Sequence, residues 1–121
     1  MKYMLIMSED ESLRSTKSAG DCRVDGTEAS EVLTKWLDEM NRRGVRSIGE
    51  RLESVNLATT VRVSDGETLV ADGPFGETKE HIAGFDIINC ADLDEAIEIA
   101  AKHPCAVFGG VIEIRPVFVD E

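Results

Sequence analysis

The feature that most constrains the fold is a predicted β-hairpin within residues 59–85. It begins with period-two alternation, in which Val61 and Val63 fall on one side of an extended chain. Asp65-Gly66 follows, a dipeptide that readily adopts the positive φ angles of a two-residue hairpin turn. The return segment runs to Asp72, so this stretch predicts two antiparallel strands with a tight connection.

A rigid corner follows the hairpin, in the tetrapeptide Asp72-Gly73-Pro74-Phe75. Proline lacks the N–H that a strand ladder needs, and it disfavours a helical conformation at the residue before it. Asp72 can accept backbone N–H bonds that pin such a turn, or it can act as a general base at the rim of a pocket. Both interpretations of Asp72 stay open. Lys79 and His81 follow closely.

Hydrophobic periodicity places the other elements. It predicts strands over residues 2–8, 45–57, 82–90 and 111–119, helices over residues 28–43 and 93–100, and a polar loop over residues 9–26. The order β-α-β-β-β-α-β, with the hairpin as an extra insertion, is that of an α+β, ferredoxin-like split βαβ domain with an antiparallel sheet. The 121 residues are enough for one such domain, over residues 1–121.

The predicted strands are apolar on both sides, whereas two helices can cover only one face of a sheet. Met4, Ile6, Ile48 and Ile88 alternate with side chains that are equally apolar. An apolar sheet face without a cover needs a second layer, and another copy of the chain supplies one. We therefore expect a homodimer in which two sheets face each other.

The last predicted strand carries charged residues on one side only. Its aliphatic side is expected to meet the helices, which places Glu113 and Arg115 on the opposite face. Asp86 and Glu50 are expected to join them there. Such partly buried charges must be paired or must meet a ligand. The cluster predicts either an ion-pair network across a dimer seam or a small polar pocket. As a pocket, its candidate catalytic residues are Asp72, Glu50 and Glu113, and its candidate substrate-binding residues are Arg115, Asp86, Lys79 and His81.

Charge, cysteines and missing motifs exclude several classes of function. The net charge of −11 opposes binding to nucleic acid or to anionic lipid, and no segment approaches the length of a membrane span. Cys22, Cys90 and Cys105 lack metal-ligand spacing, so free thiols in a reducing, cytoplasmic compartment and no metal are expected. No glycine motif for phosphate or dinucleotide binding is present, so no cofactor is expected. His103, after the second predicted helix, is expected to interact with the negative end of that helix dipole.

Four short motifs resemble the YCII-related, or DGPF-domain, family. They are GERL at residues 49–52, DGPF at 72–75, ETKE at 77–80 and the Gly-Phe pair at 84–85. The resemblance also takes in Glu113, Arg115 and Pro116 of the last strand. It implies a fold similar to the dimeric α+β barrels, in which two sheets face each other. Some members of this family are lyase-like enzymes, which are thought to use a histidine on the first helix together with an aspartate. Here residues 28–43 contain no histidine.

Three functions stay open on the sequence. The first is a cofactor-independent small-molecule enzyme of lyase or isomerase type. The second is a non-catalytic dimeric module that binds a ligand or a regulatory protein, which the resemblance implies because DGPF-domain proteins are often encoded beside sigma factors. The third is a stable dimer in which the Asp72-Gly73-Pro74-Phe75 corner has only a structural role. A metabolite-sized pocket with Asp72 pointing into it favours the first, and an ion pair between Glu113 and Arg115 favours the others.

Overall fold

The fold is a four-stranded antiparallel sheet with helices packed on one side. The computed structural model describes residues 1–10, 27–73 and 80–119. In chain order the elements are β1 (Lys2–Asp10), α1 (Thr27–Arg43), β2 (Arg46–Arg51), β3 (Thr59–Ser64), β4 (Glu67–Asp72), β5 (Glu80–Asn89), α2 (Leu93–Ala101), α3 (Pro104–Val107) and β6 (Val111–Pro116). A single 3₁₀ turn, Val55–Leu57, lies between β2 and β3.

The strand order of the main sheet is β2-β5-β1-β6, and β3 pairs with β4 in a separate two-stranded sheet. The connection through α1 joins β1 to β2 on either side of β5, and the connection through α2 joins β5 to β6 on either side of β1. These two interleaved units confirm the predicted α+β, ferredoxin-like fold. The main differences from the prediction are that β2 ends at Arg51 rather than at residue 57, that β6 ends at Pro116 rather than at residue 119, and that the short helix α3 was not predicted.

Helix α1 buries one stripe of side chains against the sheet, as its periodicity predicts. Trp36 and Met40 are both buried, and Leu37 packs beside them. The indole Nε1 of Trp36 donates a hydrogen bond to the carbonyl oxygen of Ile99 in α2, at 2.9 Å. This bond ties the two long helices together inside the core. The helix ends at Gly44, whose φ of 70° suits a C-terminal cap.

The helix-facing side of the sheet supplies the rest of the core. Tyr3, Leu5 and Met7 alternate along β1 on this side, and all three are buried. In the adjacent strand β6, Ile112 and Ile114 pack against the same core. The prediction that the aliphatic side of β6 meets the helices is therefore confirmed.

The opposite side of the sheet, here called the outer face, is mostly apolar and partly exposed. Strand register assigns to it Met4, Ile6, Ile48, Glu50, Ile82, Phe85, Ile87, Val111, Glu113 and Arg115. Ile48 leaves 52% of its surface exposed and Val111 leaves 54%. Because α1 and α2 pack on the other side, no helix within the described residues covers this face.

Two residues lie on the side opposite to the one predicted. Asp86 was expected on the outer face with Glu113, and Ile88 was grouped with Met4, Ile6 and Ile48 on one side of the sheet; both assignments are wrong. Asp86 lies opposite Leu5, and Ile88 lies opposite Tyr3, so both side chains face the helices and are buried. Alternation could not choose the side because β5 is apolar on both.

The hairpin β3–β4 has the predicted turn. Asp65 and Gly66 have φ angles of 50° and 78°, as a two-residue connection requires. The aliphatic side chains of both strands are exposed: Val61, Val63, Leu69 and Val70. Residues 74–79, which include the corner beyond Asp72 and Lys79, lie outside the described residues, as do residues 11–26 of the predicted loop.

Salt bridges also link α1 to α2 on the solvent side. Arg43 lies 2.8 Å from Glu39 and 3.0 Å from Glu98, and Lys102 lies 3.1 Å from Glu39. Exposed ion pairs of this kind contribute little individually, because water screens them. The buried contacts of Trp36 therefore hold the helix layer together.

We expect Trp36→Phe to lower the free energy of unfolding by about 2 kcal/mol, because it removes a buried hydrogen bond and leaves part of the indole volume empty. Urea unfolding followed by circular dichroism measures the change. Lys35→Ala, at the exposed neighbouring position, is the control and should change stability by less than about 0.5 kcal/mol. Equal stabilities of Trp36→Phe and wild type would contradict this account of the core.

Candidate functional site

A cleft of about 170 Å³ opens between α1 and the edge of the sheet formed by β2 and β5. Its apolar wall comes from α1 and β1. Its polar wall comes from β2, β5 and the segment just after α2. The lining residues are Met7, Leu33, Trp36, Leu37, Arg46, Gly49, Glu50, Arg51, Ala83, Gly84, Phe85, Asp86 and His103.

Asp86 is the central acidic group of the cleft. It lies in the middle of β5 beneath the helix layer and is only 6% exposed. Its Oδ1 accepts a hydrogen bond from Nε of Arg46, at 2.8 Å. An unpaired carboxylate at this depth would cost several kcal/mol, so the arginine is what makes its burial tolerable. Burial raises the pKa of the Asp86 carboxyl, because desolvation outweighs the opposing hydrogen bond and charge of Arg46.

Gly49 makes room for this ion pair. A Cβ atom at Gly49 would overlap Oδ1 of Asp86 and would lie 2.6 Å from Nη2 of Arg46. Gly84 is constrained in a similar way, because a Cβ there would lie 2.9 Å from the backbone oxygen of Glu50. Glycine is needed at both positions for a structural reason, because a side chain at either one would displace the polar wall of the cleft.

His103 lies beside the ion pair and is buried. It caps the N-terminus of α3, where its Nδ1 accepts a hydrogen bond from the backbone N–H of Cys105 at 3.0 Å. Its ring stands edge-on to Trp36, with 4.7 Å between the ring centroids. Burial, together with the positive charge of Arg46, lowers the pKa of His103 to about 4. The ring is therefore neutral at pH 7, and since Nδ1 is an acceptor, its proton resides on Nε2.

This position corrects the expected role of His103. A dipole partner at the end of α2 would need a positive charge and exposure to solvent, whereas the ring is neutral and packed in the core. The sequence did contain a usable signal: a polar residue immediately before a proline is typical of a helix that starts at the proline, because proline suits the first helical position. The histidine is thus the N-cap of α3.

The two polar groups face each other across a short gap. Nε2 of His103 lies 3.9 Å from Oδ2 of Asp86. This is too long for a direct hydrogen bond, but a ligand atom to one side of the gap could lie about 3 Å from each. The cleft therefore presents a hydrogen-bond donor and a carboxylate acceptor to the same point, next to the positive charge of Arg46. Such an arrangement can remove a proton and stabilise the charge that develops.

The structure brings few of the predicted site residues into this cleft. Asp86 and Glu50 line it, but Glu50 pairs with Phe85, so its side chain belongs to the outer face. Asp72 ends the exposed hairpin opposite Thr59. Glu113 and Arg115 are exposed on β6, at the other edge of the sheet, and His81 lies near the start of β5. Lys79 lies outside the described residues.

Sequence reasoning missed Arg46 as well as His103. Arg46 and Gly49 are three residues apart, so plain alternation would place them on opposite faces of β2. A bulge at Ser47 shifts the register between Arg46 and Ile48, so that Arg46 and Gly49 both face the helices. No local pattern marks that bulge in advance.

The expectation of three free thiols is wrong for Cys105, which is disulfide-bonded. Cys90 is a free, buried thiol, and Cys22 lies outside the described residues. Disulfide formation depends on the distance between two cysteines in space, which their spacing in the sequence does not give. Because disulfides are more typical of oxidising compartments, the thiol argument for a cytoplasmic location loses its support.

Two further findings concern metals and membranes. In residues 1–10, 27–73 and 80–119, no group of three or more His, Cys, Asp or Glu side chains is placed to hold a metal ion. None of the helices in these ranges is long and apolar enough to cross a membrane.

Comparison with known proteins gives a consistent result. The profile of the YCII-related domain family matches residues 1–119, which confirms the resemblance seen in the sequence motifs. An uncharacterized protein of Rhizobium meliloti (strain 1021) is 38% identical over 117 residues, which cover 96% of this chain and 91% of the relative.

The depressed pKa of His103 predicts a specific loss of stability in acid. As the pH falls, the unfolded chain binds this proton near pH 6.5, whereas the folded chain binds it only near pH 4. The free energy of unfolding therefore falls between these values, by roughly 3 kcal/mol from this group alone. The raised pKa of Asp86 acts in the opposite direction over its own range.

His103→Asn isolates the effect, because asparagine can still cap α3 but does not titrate. Urea unfolding at pH 7 and at about pH 5 should show that wild type loses about 2 kcal/mol more than the variant over this interval. Asp86 is present in both proteins, so its contribution largely cancels. Equal losses would mean that His103 titrates normally.

Proposed function

The chain belongs to the YCII-related domain family, and on that premise we propose that it is a cofactor-independent enzyme of lyase or isomerase type that acts on a small organic molecule. The observation that carries the proposal is the pairing of Asp86 with His103 in a cleft. One is a buried carboxylate with a raised pKa, and the other is a neutral imidazole with its proton toward the gap. Environments that separate two titratable groups in this way are typical of acid–base sites.

Asp86 is the proposed general base. Its Oδ1 is held by Arg46, while its Oδ2 faces the gap toward His103. A raised pKa brings the carboxylate closer to neutral pH, where it is a stronger base for carbon-bound protons. The bond from Arg46 fixes the orientation of the carboxylate, so Oδ2 needs little reorganisation to accept a proton.

His103 is the proposed hydrogen-bond donor. When Oδ2 of Asp86 takes a proton from a carbon next to a carbonyl or similar group, negative charge develops on the oxygen of that group. The Nε2–H of His103 can donate to this oxygen, since a neutral imidazole polarises an oxygen without giving up its own proton. The electron pair then either expels a leaving group from the adjacent carbon or takes the proton back from Asp86 at another carbon. The first outcome is a lyase reaction and the second an isomerisation.

The outer face supports a second proposal, that the protein is a homodimer. Met4, Ile6 and Ile87 form its apolar centre, and the described helices all pack on the other side. A second copy placed sheet to sheet would remove this surface from water. Glu113 and Arg115 would then border the interface. The cleft lies on the helix side of the sheet, away from this interface. Each copy of the dimer would therefore carry a complete site with its own Asp86 and His103.

The catalytic proposal predicts that Asp86→Asn lowers turnover about 100-fold or more, because it removes the base and retains the shape. A panel of small oxo acids, hydroxy acids and phenols in D₂O, followed by proton NMR, detects deuterium incorporation, isomerisation or elimination. Asp38→Asn, at an exposed position of α1, is the matched control and should keep the wild-type rate. An Asp86→Asn variant as active as wild type would exclude the proposed base. No reaction of any compound with wild type would favour a non-catalytic binding module.

The dimer proposal predicts a sedimenting mass of twice 13.2 kDa at micromolar concentration. Ile48→Lys places a charge on the outer face at a position that is already half exposed, so it should weaken association about tenfold or more while the fold persists. Val63→Lys, on the exposed hairpin, is the control. A folded wild-type monomer under these conditions would contradict the dimer.

A further inference from the structure

Two arginines of β2 face the cleft from its polar side, in a chain whose net charge is −11. We propose that the cleft recognises a small, ring-bearing monocarboxylate, with Arg46 holding the carboxylate and Arg51 attracting it at the entrance. This inference rests on the proposed function, since the acid is the substrate that Asp86 and His103 would act on. It adds the substrate class, and it depends on the Nη1–Nη2 edge of Arg46 and on Arg51, which neither give nor take the proton.

Arg46 has hydrogen-bonding capacity that the described residues do not use. Its Nε donates to Asp86 at 2.8 Å, but neither Nη1 nor Nη2 bonds to a described residue. The side chain is nevertheless only 22% exposed. Buried donors normally find partners, and the Nη1–Nη2 edge of a guanidinium matches the two oxygens of a carboxylate.

The position of this edge is fixed. The bond to Asp86 anchors one side of the guanidinium, and Nη2 lies over Gly49, 2.6 Å from the position that the Cβ of any other residue would occupy. A guanidinium held in this way loses little conformational entropy when it binds an anion. The glycine thus keeps an anion-binding edge open as well as making room for Asp86.

Arg51 adds a second positive charge on the same side of the strand. Register places it opposite Gly84, two residues beyond Gly49, so its side chain also faces the helix side. It is exposed and makes no salt bridge within the described residues. The intervening Glu50 points to the outer face, which keeps its negative charge off the cleft wall.

The charges of the cleft select an anion with a single negative charge. Arg46 and Asp86 balance each other, and His103 is neutral at pH 7. The cleft therefore has one positive charge in excess, from Arg51. A monocarboxylate neutralises it, whereas a dianion would bring an uncompensated negative charge into a chain that is already strongly acidic.

The size and walls of the cleft select a ring. Its volume of about 170 Å³ is close to that of a cavity known to hold benzene, about 150 Å³. Leu33, Trp36 and Leu37 supply an apolar wall opposite the arginines. A ring against Trp36 with its carboxylate on Arg46 would bring the neighbouring ring or side-chain carbon toward Asp86.

Benzoate is the probe, and Trp36, the single tryptophan of the chain, is the reporter. Titration of the full chain followed by tryptophan fluorescence should show saturable binding of benzoate. Benzamide has the same shape without the charge, and it should bind about tenfold more weakly or worse, as expected when charge-assisted hydrogen bonds are lost. Binding of benzoate should also weaken as salt is raised.

Two variants test the arginines separately. Arg51→Gln should weaken benzoate binding about threefold to tenfold and leave benzamide unchanged, while Arg42→Gln, exposed at the end of α1, should change neither. Arg46→Gln alone would leave Asp86 buried without its partner, so it is combined with Asp86→Asn to keep the pair neutral. This double variant should lose benzoate binding about tenfold or more, whereas Asp86→Asn alone should retain it.

The outcomes separate this inference from the proposed function. Equal affinities for benzoate and benzamide, or wild-type benzoate binding in the double variant, would overturn the carboxylate site. So would the absence of saturable benzoate binding by wild type at about 10 mM, a concentration well above the Kd of a weak specific ligand. Benzoate binding that needs Arg46, in a protein that turns over no acid of the panel, would keep the site and reject the enzyme. Turnover of a neutral compound by a protein that does not bind benzoate would keep the proposed enzyme and reject the carboxylate site.

Discussion

The carboxylate of Asp86 lies beneath the helix layer, and its need for a counter-charge determines the surroundings. Arg46 supplies that charge at 2.8 Å, and it can reach the site only because Gly49 leaves the space empty. Burial, together with the charge of the same arginine, keeps the neighbouring imidazole of His103 neutral. These groups behave as one coupled unit, because a change in the charge of any of them alters the electrostatic cost of the others.

The parts of the fold that the sequence predicts correctly are those with a local signal. Asp65-Gly66 marks the hairpin turn, because few dipeptides adopt those φ angles. The apolar stripe through Trp36 marks α1, because helical spacing brings its members to one face. Asp86 had no such signal. Its strand is apolar on both sides, so only the pairing with Leu5 reveals which side it occupies.

The site could not be predicted for a related reason: it is assembled from segments far apart in the chain. Asp86 lies on β5, Arg46 on β2, and His103 follows α2, and the ferredoxin-like topology alone brings them together. The family motifs pointed to the right strands, with Gly49 and Gly84 in the cleft wall. They did not point to the polar groups, because they favoured Asp72 and Glu113, which do not line the cleft.

The bulge in β2 has a consequence for how this protein can change over time. Arg46 and Gly49 face the same way only because Ser47 is an extra residue in the ladder. A regular ladder through Ser47, without the bulge, would turn Arg46 toward the outer face and leave Asp86 without its partner, although no residue of the cleft itself had been altered. Deleting Ser47 would not have this effect, because Arg46 would then lie two residues from Gly49 and would stay on the same face. Selection must therefore preserve the irregular pairing of this strand as well as the identity of its residues.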